Sequence, residues 1–239
     1  MATPSAVPLV LLHIPALVAY ILSENAIKDV YARRQNARHV LEEFTRAVDP
    51  SNTSKTELLA AVEKCKGAIK ACPLAYATKT LASLHDATCK NTPSMQRPID
   101  DPGDICDMDA WNTDLSFVRE LFGMQVRVDG EIRHVTVLEL DVTGNSLAKC
   151  VRDSLGDAAI TRAPLVLVCG FNHTKTTFVD YPYEYEFHGI RYTLCVVATR
   201  DKAMFINPSG PGWHDQEGKT VSLNSIITKD ACVVAYKRA

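Results

Sequence analysis

The side chains best suited to covalent chemistry in this chain are eight cysteines and seven histidines. A cysteine thiolate acts as a nucleophile when a nearby histidine accepts its proton and an Asn or Asp orients that histidine. The cysteines lie at positions 65, 72, 89, 106, 150, 169, 195 and 232. No two of them have the Cys-x-x-Cys spacing of a zinc ribbon or a redox site. Cys169 and Cys195 lie in apolar runs typical of strands, where a thiol packs as a small apolar side chain.

The histidines leave two interpretations open. His134 and His188 lie in or beside predicted hairpins, which is typical of structural histidines. His214 could act as a base for Cys195 or Cys232 if the strands brought the two side chains together. The positions of the strands therefore decide whether any cysteine has a catalytic partner.

Charged residues form two local groups in a chain whose net charge is -2. Five aspartates, at 100, 101, 104, 107 and 109, lie with three prolines between Asn91 and Asn112. Their spacing does not match the calcium-loop pattern, so we predict a solvated acidic loop and no metal or cofactor site. Arg33, Arg34 and Arg38 indicate either a solvated helix face or a contact with phosphate or an acidic partner.

The apolar run VPLVLLHIPALVAYILSENA, at 7–26, decides the class of protein. Its two prolines and its histidine make it a poor membrane span, which needs about 20 mostly apolar residues. The first basic residue is Lys28, after the run, whereas a signal peptide has its basic residues before the apolar stretch. We therefore predict a buried helix, reduced cysteines and an intracellular protein that does not contact a membrane.

The elements that must position these side chains change in type along the chain. Apolar spacing predicts helices over 27–44 and 58–69, the second after a capping box at Ser54–Glu57, and a third from Pro73 to His85. From residue 124 onward the period is that of strands, with tight hairpins at Asp129-Gly130 and at 188–189 and a short helix entered through 145–146. Helices followed by an antiparallel sheet indicate the α+β class.

The order of these motifs resembles the catalytic domain of the ubiquitin-specific protease family. The segments that carry the resemblance are 11–23, 115–128, 137–155, 163–171, 179–198 and 230–238. It implies one papain-like domain over 1–239, with a helical thumb at 1–90, the acidic Pro-rich loop at 91–112 and a β-rich palm at 113–239. The zinc-binding fingers of many members, which are built from paired Cys-x-x-Cys knuckles, are not expected here.

The resemblance also implies where the catalytic residues would lie. The nucleophile position falls at or next to Ala2, and residues 1–10 contain no cysteine. Lys202 occupies the approximate position of the histidine, and Glu217, or Asp215 if the alignment slips, lies near the orienting residue. Neither the nucleophile nor the base has its usual side chain, so the resemblance implies a pseudoenzyme.

The resemblance, together with the missing catalytic side chains, implies a non-catalytic pseudo-deubiquitinase. It would serve as a protein-interaction or structural subunit of a larger assembly, as inactive members of the family do in RNA-processing complexes. Two alternatives stay open: a pseudoenzyme that binds ubiquitin without cutting it, and a cysteine peptidase with a relocated nucleophile. Nucleic-acid contact is expected only through Arg33, Arg34 and Arg38.

Overall fold

The computed structural model describes most of the second half of the chain and selected parts of the first. The described residues are 11, 14, 17–19, 42–43, 46, 73–88, 117–142, 144–172, 179–199, 202–206, 212–215, 219–226 and 230–239. The helices predicted over 27–44 and 58–69 lie outside this set, except that residues 42–43 are helical. The acidic loop predicted at 91–112 also lies outside it.

Three of the five described residues in the apolar run near the start of the chain are buried, in agreement with the predicted buried helix. Leu11 and 17–19 are helical, and Leu11, Ile14 and Leu17 are each only 1% exposed. The third predicted helix is also confirmed, as α1 over Pro73–Thr88, which ends three residues beyond the predicted end. Among the described residues, no helix is long and apolar enough to cross a bilayer.

The strands and the shorter helices follow in the second half. In chain order they are α2 (Phe117–Phe122), β1 (Met124–Val128), β2 (Glu131–Val135), β3 (Leu138–Asp141), α3 (Leu147–Leu155), β4 (Ala159–Arg162), β5 (Val166–Asn172), β6 (Glu184–Phe187), β7 (Ile190–Thr199), β8 (Ala203–Ile206), β9 (Trp213–Asp215), β10 (Thr220–Val221), α4 (Leu223–Ile226) and β11 (Ala231–Arg238). The sequence patterns did not predict α2, β4, β9, β10 or α4.

Both predicted hairpins are confirmed, and their turns explain why. Asp129 and Gly130 have φ of 52° and 85° between β1 and β2, and His188 and Gly189 have φ of 52° and 73° between β6 and β7. Two consecutive positive φ angles are those of a type I′ turn, whose twist matches that of the flanking strands. The predicted short helix is confirmed as α3, whose N-cap Ser146 accepts a hydrogen bond from the backbone of the third helical residue.

The strands form two sheets. The small sheet has the order β2-β1-β4, and the large one has the order β10-β9-β8-β7-β11-β5-β3, with β6 paired to β7 beside this path. All pairs are antiparallel except β3 with β5. That pair is parallel because α3 and β4 lie between the two strands in sequence and return the chain to the start of the sheet.

Two apolar clusters cover the two faces of the large sheet. Along β5, Val166 and Val168 belong to one cluster, while Leu167, Cys169 and Phe171 belong to the other. The first cluster, which we call the thumb-side core, also contains the opening run together with α1 and α2 side chains. The alternation follows from the pleat, which directs successive side chains to opposite faces.

One buried hydroxyl in α1 offers a test of the thumb-side packing. Thr80 is fully buried, and its Oγ1 has no hydrogen-bond partner among the described residues. Because an unpaired buried hydroxyl has lost its hydration without compensation, Thr80→Val should raise the free energy of unfolding by about 1 kcal/mol. Thr78→Val is the matched control, since the Thr78 hydroxyl donates to the Leu74 carbonyl at 3.2 Å, and it should give no gain in urea denaturation. A loss of stability in Thr80→Val would contradict this account.

Candidate functional site

Lys202, which the resemblance places approximately at the histidine position, lies in a tight hairpin. Lys202 lies in the turn from β7 to β8, and its backbone N–H donates to Thr199 Oγ1 at 3.0 Å. The Lys202 carbonyl accepts from the Thr199 backbone N–H at 2.8 Å. The residue is exposed, so its side chain lies in solvent beside the sheet. A lysine side chain does not supply the imidazole that acts as the base in Cys/His chemistry.

Asp215, the alternative to Glu217 as the orienting residue, has a structural role. Met204, two residues after Lys202, lies opposite Asp215 in the pairing of β8 with β9. Asp215 Oδ1 accepts the Lys219 backbone N–H at 2.9 Å, and the Asp215 backbone N–H donates to the Lys219 carbonyl at 2.9 Å. Asp215 therefore closes the turn between β9 and β10. Glu217, the first choice for the orienting residue, lies outside the described residues.

The opening run packs in the same apolar cluster as the strand that follows Lys202. Leu11, Ile14 and Leu17 belong to the thumb-side core, which also contains Ala203 and Phe205 of β8. Thus the helical start of the chain and the strand after Lys202 contribute to one cluster, as the resemblance implies for the thumb and the palm. Ala2 lies outside the described residues, so its position relative to Lys202 stays a prediction.

Three of the described cysteines, Cys150, Cys169 and Cys195, are buried in the core. Cys169 and Cys195 are buried, and burial raises the pKa of each thiol to about 12. Cys195 Sγ donates to the Ala235 carbonyl at 3.2 Å, and the buried Cys150 Sγ is directed at a backbone carbonyl of residue 144 at 3.7 Å. A thiol that keeps its proton until pH 12 has almost no thiolate at neutral pH. These cysteines are packing residues, as their apolar surroundings indicate.

Strand order also separates the histidine and cysteines that the sequence left as a possible dyad. His214 lies on β9, Cys195 on β7 and Cys232 on β11, and β8 lies between β9 and β7. Neighbouring strands are about 4.8 Å apart, so Cys195 is about 10 Å from the His214 backbone and Cys232 about 14 Å. The structure does not bring either cysteine to His214.

A buried histidine that sequence reasoning treated only as structural has an unusual partner. His134 of β2 is 5% exposed, and its Nε2 lies 2.5 Å from Nη2 of Arg119 in α2. Arginine can only donate, so His134 Nε2 accepts and the ring is neutral. Burial, and then the charges of Arg119 and Arg162, lower the His134 pKa to about 4. The contact joins residues from different elements, so no local pattern in the sequence could have indicated it.

The remaining sequence predictions concern ligands. Within the described part of the chain, no group of three His, Cys, Asp or Glu side chains could hold a metal ion. Arg33, Arg34 and Arg38 lie outside the described residues, so nucleic-acid contact through them is untested.

Comparison with known proteins places this arrangement among solved structures. No family model matches the chain, and no curated protein matches it. Solved structures do match, including one of the yeast SAGA DUB module with a mutant Sgf73, at a TM-score of 0.74, 15% identity, 98% of this chain and 64% of the other. The chain has a papain-like, ubiquitin-specific protease fold of the α+β class. At this identity the likeness shows the fold alone, and the chain spans just under two thirds of that neighbour's length.

Two further structures widen the range of proteins with this fold. One is the SAGA DUB module of Ubp8, Sgf11, Sus1 and Sgf73 bound to monoubiquitin, with a TM-score of 0.69, 15% identity, 100% of this chain and 68% of the other. The second is an essential yeast splicing factor, with a TM-score of 0.62, 12% identity, 98% of this chain and 66% of the other. The ubiquitin-specific protease fold thus occurs in a deubiquitinating module and in a splicing factor.

Proposed function

We propose that this protein is a non-catalytic pseudo-deubiquitinase that serves as a structural or protein-interaction subunit of a larger intracellular assembly. The observation that carries the proposal is the hairpin at Lys202. Where the resemblance implies a catalytic histidine, approximately at residue 202, the chain has an exposed lysine whose backbone closes a turn with Thr199. A lysine there does not supply the imidazole that takes the proton from the thiol in this chemistry.

The other catalytic roles support the same proposal. Ala2 at the expected nucleophile position has no side chain that could attack a carbonyl carbon. Two of the described core thiols, Cys169 and Cys195, have a pKa that burial raises to about 12, so they carry their protons at neutral pH. A fold can be kept for its surface after its site has decayed, because the sheet and core do not depend on the catalytic side chains.

The choice of a subunit over an isolated protein is supported by what shares the fold. The SAGA DUB module is a complex of four named proteins, and another neighbour is a splicing factor. Both fit a role in which the fold contributes surfaces to an assembly.

A pseudo-deubiquitinase should show no peptidase activity. The purified chain should release no fluorophore from a fluorogenic ubiquitin C-terminal amide, and no cysteine should react selectively with ubiquitin that carries a C-terminal electrophile. The physical reason is the absence of a thiolate paired with a base. A matched control is the Lys202→His variant, which should stay inactive because restoring the base does not restore a nucleophile. Turnover that disappears when one cysteine is changed to serine would contradict the proposal and favour a peptidase with a relocated nucleophile.

The second measurement concerns assembly. The tagged protein, purified gently from its own source, should elute from gel filtration in a large stoichiometric complex whose members mass spectrometry identifies. Elution alone at 26.3 kDa would contradict the subunit role.

A ubiquitin-binding pseudoenzyme is the second candidate, favoured by the neighbour that was solved with monoubiquitin. Titration of the labelled chain with monoubiquitin distinguishes the two candidates. Saturable binding at micromolar concentration, with no cleavage, would support the second candidate.

A further inference from the structure

One face of the small sheet is exposed except at its His134 end, and the other carries the buried side chains of β1. Side chains of paired residues point to the same face, so the pairs of Gln125 with Arg162 and of Arg127 with Ile132 and Ala159 define one face. We call Gln125, Arg127, Ile132, Ala159 and Arg162 the basic face. The opposite face carries Met124 and Val126, which are buried in the second apolar cluster.

The basic face exposes an apolar side chain beside two arginines. Ile132 is 43% exposed, one of three large apolar side chains that are exposed among the described residues. Arg127 lies directly across from it in the neighbouring strand, and Arg127, Ala159 and Arg162 are all exposed. An exposed apolar residue flanked by arginines is typical of a protein-binding surface, because Arg and large apolar side chains are enriched at interface centres.

The charge of the basic face is not balanced within the described residues. Neither Arg127 nor Arg162 forms an ion pair with a described carboxylate, and the Arg162 guanidinium donates instead to the Glu120 backbone carbonyl at 3.4 Å. Arg133, by contrast, is paired with Val126 and so lies on the opposite face, where it is 4.0 Å from Glu131. The local excess of positive charge occurs in a chain with a net charge of -2.

The same face ends in a buried histidine, His134. His134 lies opposite Gln125 in the strand pairing and therefore points to the same side as Arg162. With its Nε2 accepting from Arg119, the proton of His134 is on Nδ1, which is buried and has no partner among the described residues. The exposed donors of this face are therefore the guanidinium groups of Arg127 and Arg162, and the partner that suits them is an acceptor.

We propose that the basic face binds an extended acidic segment of a partner protein, with carboxylates on Arg127 and Arg162 and an apolar side chain over Ile132. A protein partner fits better than nucleic acid, because the face is narrow and carries no aromatic side chain on which a base could stack. The inference depends on the proposed subunit role for its biological setting. A subunit that co-elutes with partners but ignores acidic peptides would overturn this surface alone.

The experiment measures the binding of short peptides to the full chain by fluorescence anisotropy. The probe is a labelled peptide of about ten residues, rich in Glu with a central Leu pair, and the same peptide with Lys in place of Glu is the control. We expect Arg127→Glu and Arg162→Glu each to weaken binding of the acidic peptide about fivefold or more, and Ile132→Ser to weaken it about threefold. Arg133→Glu, which changes an exposed arginine on the opposite face of the same strand, should change it less than about twofold.

A charge-swap variant distinguishes the loss of this binding surface from the loss of the folded state. The double variant Arg127→Glu with Arg162→Glu should lose the acidic peptide and gain the Lys peptide, which an unfolded chain would not do specifically. Equal binding of the Glu and Lys peptides, equal effects of Arg133→Glu and Arg127→Glu, or tighter binding of a single-stranded oligonucleotide would each overturn the proposal. So would a tenfold gain in affinity on changing the five aspartates of 91–112 to asparagine, because the chain's own acidic segment would then be the competitor.

Discussion

Gly170→Ala is expected to lower the free energy of unfolding by about 1–3 kcal/mol, although alanine is the smallest side chain that can replace glycine. Gly170 lies in the middle of β5 on the face covered by α1. A Cβ built on Gly170 would overlap Leu74 Cδ1 and lie 3.1 Å from Leu74 Cγ. Leu74 is 4% exposed, so it has little room to move to another rotamer. The added methyl group must therefore separate α1 from the sheet or strain both.

Leu74→Ala should remove the cost of Gly170→Ala, because it removes the side chain that the new methyl group meets. Leu74→Ala alone should cost about 2–4 kcal/mol because it leaves a cavity in the thumb-side core. In that background, Gly170→Ala should be neutral or stabilising, since its methyl group then enters the cavity. The coupling energy from the double-mutant cycle, measured by urea denaturation, should thus be about 1–3 kcal/mol in favour of the double variant. Additive effects would show that the cost at Gly170 comes from the backbone and not from the contact with Leu74.

Gly130 is the matched control for this pair of variants. It lies in a type I′ turn with φ of 85°, and a Cβ built there would meet no atom within 4 Å. Gly130→Ala should therefore lose stability through backbone strain alone, and Leu74→Ala should not rescue it. The two glycines separate a packing requirement from a conformational one.

The features that local sequence could predict are those decided by neighbouring residues. The hairpin at Asp129-Gly130 follows from residues that tolerate positive φ, and α3 follows from its Ser146 cap. The burial of Leu11 and Leu17 follows from an apolar run that is unsuited to a membrane. In each case the deciding interaction spans only a few residues.

The features that the sequence did not predict are short or depend on distant contacts. β4 is largely exposed and shows no apolar alternation, and β10 has two residues, too few for any period. The parallel pairing of β3 with β5 is set by the path of the chain through α3, which residue patterns do not encode. The candidate site likewise depends on the path of the chain and not only on local residue patterns. The resemblance implied the position of Lys202, but only strand order separates His214 from Cys195.

The buried pair of His134 and Arg119 should make the protein sensitive to acid. The His134 pKa is about 4 in the folded chain and 6.5 in the unfolded chain, so the unfolded state binds the proton first as pH falls. Stability contributed by neutral His134 is therefore fully present above pH 6.5 and is lost as the pH falls from 6.5 towards 4. Linkage gives a loss of about 2 kcal/mol at pH 5 and about 3 kcal/mol at pH 4.

His134→Gln tests this pair, because the glutamine oxygen can accept from Arg119 but cannot be protonated in this range. The free energy of unfolding of the variant should fall less between pH 7.5 and 5 than that of the natural chain, with a difference of about 2 kcal/mol. The control is His188→Asn, which removes an exposed histidine from a turn whose φ of 52° asparagine tolerates, and which should leave the acid slope unchanged. Equal acid slopes for His134→Gln and the natural chain would mean that His134 accepts a proton in the folded state without expelling Arg119. The site would then be open enough for water to hydrate both cations, which the burial of both side chains argues against.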